Sequence, residues 1–457
     1  MRSLRRLAVL LAVLALVAAA CSSDGDDDTT TTAAEGGTAT TEAAAEETTT
    51  TAAAAATTTT AAEGGEAMEP ADLVLWHTFN ETETPTLDGL VAACSAETGH
   101  NVTVELVPFA EAQNKFKTAA QAGEAPDILR AEIAWVAEFA DLTYLADITD
   151  LVSDEDMADY LAAPLAYDQY AGGLWGIPQV TDAPALYYNK ALLEENGITL
   201  PTTMEELSAA GVAFGDATGT PGIGSQMNGY WTQIFIWANG GDLLSADGTE
   251  ILVNSPESVG GLELYLSMAA DGAMNDDLDF ANQYGNVQEA FKAGEIAFNI
   301  NGPWQSGDLL SGDAFVDAPD NLGIAPTPPG AGGEGAPVGG HSWVISADAL
   351  DAGNREASYE VLECLNSTDA QATFALENNL LPTRTSAYAV AEVAANPIIA
   401  AFGEVMAVAH ARPVIPEGGA IYADFDPNVQ AAFAGDMTAQ EALDNVAAAW
   451  EALGLGS

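Results

Sequence analysis

From residue 73 onward, apolar positions gather into short unbroken or alternating runs separated by stretches of helical spacing. Leu73, Val74, Leu75 and Trp76 form the first run, read as a strand, with a polar loop from His77 to Asn80 at its end. Between 87 and 97, Leu87, Leu90, Val91 and Cys94 fall on one helical face, and Thr98-Gly99 stops the pattern. Residues 102–107 alternate as a second strand, 113–122 are helical, and a Pro-Asp turn at 126–127 leads into a third short strand at Ile128 and Leu129. Strand, helix, strand, helix, strand predicts a mostly parallel sheet. Ligands sit beyond the carboxyl ends of such strands. The loops 77–80, 109–114 and 130–135 therefore converge on one predicted site.

The pattern changes character at 176–190, GIPQVTDAPALYYNK. Two prolines close together favour an extended segment, because proline fixes its own φ and pushes its predecessor to extended geometry. One carboxylate, Asp182, lies between an apolar run and the run Ala185, Leu186, Tyr187, Tyr188. An extended segment linking two self-sufficient halves would set that carboxylate at the mouth of a cleft. An ordinary strand with Asp182 at a turn has the same pattern. Farther on, a helix ends at Gly197, and Thr203 with Glu206 resembles a helix start with a capping box. Residues 259–268 and 287–293 read as helices, 296–300 as a strand ending at Trp304, and 322–325 and 343–345 as strands. Helices are predicted at 355–365 and 370–377, an extended piece at 378–383, and a helical end around a loop at 412–422. So long an alternation of strands and helices is too large for one small core and predicts two lobes.

Composition separates the first 70 residues from the rest. Arg2, Arg5 and Arg6 precede an apolar run, and Val17-Ala18-Ala19-Ala20-Cys21 resembles a bacterial lipobox, in which the cysteine is acylated. Residues 1–20 are thus expected to be a lipoprotein signal, and Cys21 the lipid attachment point on the extracytoplasmic face of the cell membrane. Residues 21–70 are rich in Thr, Ala and acidic residues and almost lack large side chains. Such a segment cannot bury enough surface to offset the entropy of ordering, and it is expected to act as a disordered tether.

The chain carries 68 acidic and 11 basic residues, a formal net charge of −57. That balance makes nucleic acid and anionic lipid poor partners. Each scarce cation after the signal is expected to have a specific partner. Cys94 and Cys364, the two cysteines after Cys21, form a plausible disulfide in an oxidising compartment, with two free buried thiols as the alternative. No spacing of zinc ligands is present, and no metal, cofactor or catalytic residue is predicted.

Seven segments in order resemble the maltose-binding-protein group of solute-binding proteins, which serve ATP-binding cassette importers of sugars. They are 126–135 (PDILRAEIAW), 177–182 (IPQVTD), 186–190 (LYYNK), 291–295 (FKAGE), 300–304 (INGPW), 379–383 (NLLPT) and 411–417 (ARPVIPE). The resemblance implies a type II, two-lobed α/β fold with a hinged interlobe cleft. Residues 71–181 plus 340–383 would form the N-terminal lobe, and 182–339 plus 384–457 the C-terminal lobe. The chain would cross near 180–185, 337 and 382–385. It implies a di- or oligosaccharide of maltose, maltodextrin or trehalose type, delivered by a monomer to permease subunits. Asp182 falls where the family sets an acid against sugar hydroxyls, and Trp304 where it stacks an aromatic on the pyranose face. Tyr230 and Tyr422 match further aromatic positions. Asn114, like Asn228, stands where the family has an acid. Arg130, Glu132 and Trp135 resemble a loop variant of maltodextrin and trehalose binders. Asn80, Trp231 and His341 complete the candidate set, while Arg384 and Arg412 are read as structural partners of carboxylates.

The residue types suit a sugar: aromatic rings take its apolar face, and carboxylates accept charge-assisted bonds from its hydroxyls. A glycoside hydrolase is an alternative, since Glu132 and Asp182 could pair at the required roughly 5–9.5 Å. A polyamine or peptide would suit so acidic a cleft, and Tyr187-Tyr188 admits a metal-binding variant.

Overall fold

Two separate sheets organise the computed structural model, which describes residues 68–245 and 248–456. The predicted signal, Cys21 and nearly all of the tether lie outside the described residues.

The first sheet has five strands in the order Asn101–Leu106, Asp72–His77, Ile128–Glu132, Gly339–Ile345, Ile177–Asp182. The first three are mutually parallel, and Gly339–Ile345 runs antiparallel to both of its neighbours. Four of the five strands therefore point one way, as the βαβ pattern requires. The second sheet has four strands in the order Leu322–Ala325, Ala185–Asn189, Phe298–Asn301, Ile223–Gly224, and only its last pair is parallel. The molecule is thus two-lobed, each lobe covering its own sheet with helices. The chain passes from the first sheet to the second between Asp182 and Ala185. It returns between Ala325 and Gly339.

Local chemistry explains the element ends. Asn189, Thr203, Asn228, Ser255 and Ser367 each accept a hydrogen bond from a first-turn N–H of the helix that follows. Gly99, Gly123 and Gly219 end helices at positive φ. The expected capping box at Thr203 is only half made: the hydroxyl caps Glu206 N–H, but the Glu206 carboxylate accepts from Thr202 instead. A complete box stands at Thr438 and Glu441.

The predicted site loops differ from expectation. Residues 109–114 open the helix Phe109–Ala122, and 130–135 are a strand end and the start of the helix Ile133–Asp141. Glu132 makes that join without a loop, because its own side chain caps Ala134 N–H. His341, expected just before a strand, lies inside Gly339–Ile345 at a register shift opposite the Ile177–Asp182 strand.

Cys94 and Cys364 form a disulfide joining the helices Thr84–Thr98 and Arg355–Leu365 on the outside of the first sheet. The scarce cations all have partners among the described residues. Lys115 meets Glu105, Lys117 meets Glu138, Lys292 meets Glu289 and Asp308, and Arg355 meets Asp150 and Glu356. Lys190 donates to the Asp320 carbonyl, and Arg384 reaches Asp156 and Asp159.

Candidate functional site

Asp182 ends the strand Ile177–Asp182 at the crossing between the sheets and pairs in register with Gly339. A Cβ at position 339 would stand 2.2 Å from Asp182 Oδ1 and 2.9 Å from Tyr230 Oη. Glycine is needed there because the carboxylate and the phenol occupy the space of a side chain. Asp182 is only 6% exposed. Burial pushes its carboxyl up to about 7, with Glu132 adding to the rise and Arg412 and Arg130 opposing it.

Arg412 is the centre of the surrounding cluster. Its Nε donates to the Val338 carbonyl at 2.7 Å, its Nη2 pairs with Glu132, and its backbone N–H donates to the Tyr167 hydroxyl at 2.7 Å. Its guanidinium lies 5.6 Å from the Tyr230 ring centre, and Nη1 is 3.5 Å from Tyr422 Oη. Tyr230 donates to the Pro337 carbonyl at 3.3 Å, and Gln233 donates to Tyr422 Oη at 3.0 Å. Arg412 therefore ties Glu132, at the end of the first sheet's central strand, to the returning chain at Val338 and to the helix Ile421–Phe433. Its expected structural role holds, but its position is inside the candidate site.

Trp304 sits in a short turn, Pro303–Gln305, directly after the strand Phe298–Asn301. Its indole N–H donates to Tyr284 Oη at 2.8 Å, and its carbonyl accepts from Asn80 Nδ2 at 3.3 Å. The ring packs against the apolar cores of both lobes. Asn80 also accepts from Thr82 and Glu83 N–H, fixing the start of the helix Thr84–Thr98. Arg130 is buried and held within its lobe: Nε donates to Gln179 at 2.9 Å, Nη1 to Thr78 at 3.1 Å, and the guanidinium lies 3.8 Å over the Phe79 ring. Burial lowers it to about 10, with Glu83 and Asp182 opposing that fall.

Trp135 stacks on Phe109 at 5.3 Å, and the Gly419 backbone abuts its edge. The His341 ring meets the edge of Phe109 at 6.0 Å, and neither of its buried nitrogens has a hydrogen-bond partner. Burial holds His341 well below the usual histidine range, so the imidazole is neutral. Trp231 lies beneath Tyr230, 5.0 Å between ring centres, and donates to the Ile300 carbonyl. It supports the site from the core rather than lining it.

Asn114 is the exception. It is exposed and faces a shallow surface cavity shared with Trp76, Glu111 and Lys115, so the structure does not bring it to Asp182. Gln113, one residue earlier, points toward the other lobe: it donates to Glu138 at 2.6 Å, and a Cβ at Gly419 would meet it at 2.4 Å. One position along a helix turns a side chain by about 100°, so a register error of one residue selects the wrong face. Sequence reasoning missed Gln113, Gln233, Tyr167 and Phe109. Phe109 and Gln113 fall in the stretch 109–114 expected at the site without being singled out, and only the tertiary approach of distant segments brings in Tyr167 and Gln233. Tyr187, read as a candidate phenolate ligand, is in the second lobe's core, its hydroxyl bonded to the Gly302 carbonyl and to Ser306.

Comparison with known proteins adds family evidence to this geometry. Residues 79–372 match the family described as bacterial extracellular solute-binding protein. The GacH receptor of Streptomyces glaucescens, solved unliganded and with acarbose, is 33% identical, with a TM-score of 0.80 covering 84% of this chain and 99% of that one. A maltotriose-binding protein of Pyrococcus abyssi is 24% identical over 77% of this chain and 75% of its own. A maltooligosaccharide ABC transporter solute-binding lipoprotein of Streptococcus pneumoniae is 26% identical over 67% of this chain and 71% of its own.

Proposed function

We infer function from one premise: the chain belongs to the bacterial extracellular solute-binding proteins. Its ligand is a neutral di- or oligosaccharide of the maltooligosaccharide or acarbose-like class, held between the lobes and delivered to the permease of an ATP-binding cassette importer. The observation that carries this reading is a buried carboxylate, Asp182, set among Tyr230, Tyr422 and Arg412 at the crossing between two lobes. Names of relatives that bind maltotriose, maltooligosaccharides and acarbose support the same class.

In this reading Asp182 accepts from sugar hydroxyls, and Trp304 and Tyr230 offer ring faces to the apolar side of a pyranose. Such a site buries the ligand's apolar face and orders its polar rim. Closure of the lobes is a hinge motion at the crossings, and the Arg412–Glu132 pair and the Asn80–Trp304 bond are contacts made between lobes when they approach. Residues 71–181 plus 340–383 and 182–339 plus 384–457 are the lobes in this proposal. Cys21 anchors a monomer to the outer face of the membrane through the tether, and no reaction is catalysed. Glu132 is a poor hydrolytic acid because both its oxygens are engaged, one by Arg412 and one by Ala134 N–H.

The test is calorimetric titration of the fragment from residue 71 with maltose, maltotriose, trehalose and acarbose, at low and high salt. A micromolar or tighter sugar whose affinity is insensitive to salt supports the reading. Binding of a polyamine instead, weakening as salt screens the acidic cleft, would overturn it.

A further inference from the structure

The helix Gly229–Ala238 carries Tyr230 and Trp237 on one face, two helical turns and about 10 Å apart along its axis. The segment from His410 to Arg412, bridged to the returning chain at Pro337, contacts both. The His410 ring stacks on Trp237, with ring centres 4.5 Å apart and planes 9° apart, and the Arg412 guanidinium lies 5.6 Å from the Tyr230 ring centre. Residues two apart in a strand-like segment project to the same side, so one short stretch supplies both contacts. The Tyr230 contact belongs to the candidate site; the Trp237 contact lies at the other end of the helix. His410 is held on every side. Its N–H donates to the Ala336 carbonyl and its carbonyl accepts from Val338 N–H, each at 2.8 Å. Its Nε2 donates to the Glu334 carbonyl at 2.8 Å; a carbonyl only accepts, so that nitrogen carries the proton. The Trp237 indole N–H is fixed in turn by Asp242 at 3.1 Å. Glycine is required at 335, where φ is 132° and a Cβ would stand 2.2 Å from His410 Cδ2. The same returning chain supplies the Pro337 carbonyl to Tyr230 Oη and the Val338 carbonyl to Arg412 Nε.

We propose that His410 is a positioning residue for ligand binding: its stack on Trp237 sets the register of the His410–Arg412 segment and the returning chain along the helix, so that Arg412 and Tyr230 stand ready beside Asp182. The proposal rests on the carbohydrate reading above and adds a determinant two helical turns away from Tyr230. The division of labour follows from the range of each force. Attraction between Arg412 and Glu132 falls off slowly with distance and tolerates sliding. Ring contact is short-ranged and is lost within an ångström or so of displacement. The stack therefore fixes the position that the ion pair alone leaves loose. A slip of one residue would turn Arg412 to the opposite side of its segment, away from Glu132 and the Val338 carbonyl. A site ordered in this way before the ligand arrives spends less of the binding free energy on ordering its own side chains.

The test is calorimetric titration of the whole protein and three variants with maltotriose and acarbose, with thermal unfolding as the fold control. His410→Phe keeps a ring on Trp237 and loses the bond to Glu334, His410→Gln keeps a donor and loses the ring, and His410→Ala loses both. His410→Ala and His410→Gln should weaken whichever of the two sugars the parent binds about tenfold, while His410→Phe stays within about threefold of the parent. The variant with Cys94 and Cys364 both replaced by alanine separates positioning from stability: it should melt lower and keep the parent's affinity. If His410→Ala leaves too little folded protein to titrate, the order of the other two decides, His410→Phe binding more tightly than His410→Gln in support. A parent-like affinity in His410→Ala, or His410→Phe no better than His410→Gln, overturns the positioning role and leaves the carbohydrate reading standing. If the parent binds neither sugar, both are overturned together.

Discussion

Asp182 carries opposite consequences for stability and for binding. Its carboxyl is raised to about 7 by burial, above its unfolded value. A group raised in this way contributes stability that is fully present below pH about 4 and is lost as pH rises through about 7. Binding runs the other way, because sugar hydroxyls donate to the ionised form and charge-assisted bonds are the stronger ones. Affinity should therefore rise between pH 5.5 and 8 while the melting temperature falls. Asp182→Asn should remove most of both slopes, melting higher than the parent above pH 7 while binding about 10–100-fold more weakly at pH 8. Calorimetry and thermal unfolding across that range check the pair, and parallel slopes would contradict it. Trp304→Ala tests the ring face: the variant should lose at least about tenfold in affinity, since stacking and burial are removed together. The placement of both was legible in the sequence, Asp182 as a lone carboxylate in an apolar extended run and Trp304 as a tryptophan just past a strand.

Elements decide where those residues go. The Gly339–Ile345 strand is the keystone of the first sheet, bonded antiparallel to Ile128–Glu132 on one side and Ile177–Asp182 on the other. One face of it carries His341, while Ser342 lies beside the fully buried Asp168. Burial pushes Asp168 up to about 8, with the Ser342 hydroxyl acting the other way. Its contribution to stability is thus present at pH 4 and lost as pH rises through about 8. Asp168→Asn should be the more stable protein at pH 9 by about 1–3 kcal/mol, the gap closing toward pH 4 in urea titrations. The join between Glu132 and the helix Ile133–Asp141 supplies a second test. Glu132→Gln keeps an acceptor for Ala134 N–H but leaves the Arg412 cation buried without its anion. Removing one partner of a buried pair costs about 3–5 kcal/mol, and the retained Val338 carbonyl places this variant at the low end. Denaturant unfolding measures it. Glu132 was named from its motif; its double duty as cap and ion partner was not, because a cap requires a helix start and the sequence was read there as a loop.

At the scale of the whole molecule, charge and connectivity dominate. An excess of acidic over basic residues this large, −57 in total, repels itself wherever salt does not screen it. Raising salt toward about 1 M should increase the melting temperature while leaving the affinity for a neutral sugar within about twofold. The disulfide joins residues 270 apart within one lobe. Replacing both Cys94 and Cys364 by alanine should lower unfolding free energy by about 2–4 kcal/mol, chiefly by freeing the unfolded chain. Sugar affinity should stay unchanged, because the bond joins two helices of the same lobe and crosses no hinge.

What the sequence determined by itself is what depends on neighbours along the chain. The first three strands and their helices follow from period-2 and period-3.6 apolar spacing, and several helix starts follow from Asn, Ser or Thr at the cap. Scarcity of Lys and Arg also announced that each would be paired. What only the tertiary structure decided is what depends on separation through space. Arg412 meets Glu132 across 280 positions, Asn80 meets Trp304 across 224, and Tyr167 meets Arg412 across 245. Pairings of that length leave no local period in the chain, since they are set by how two sheets and their crossing segments pack.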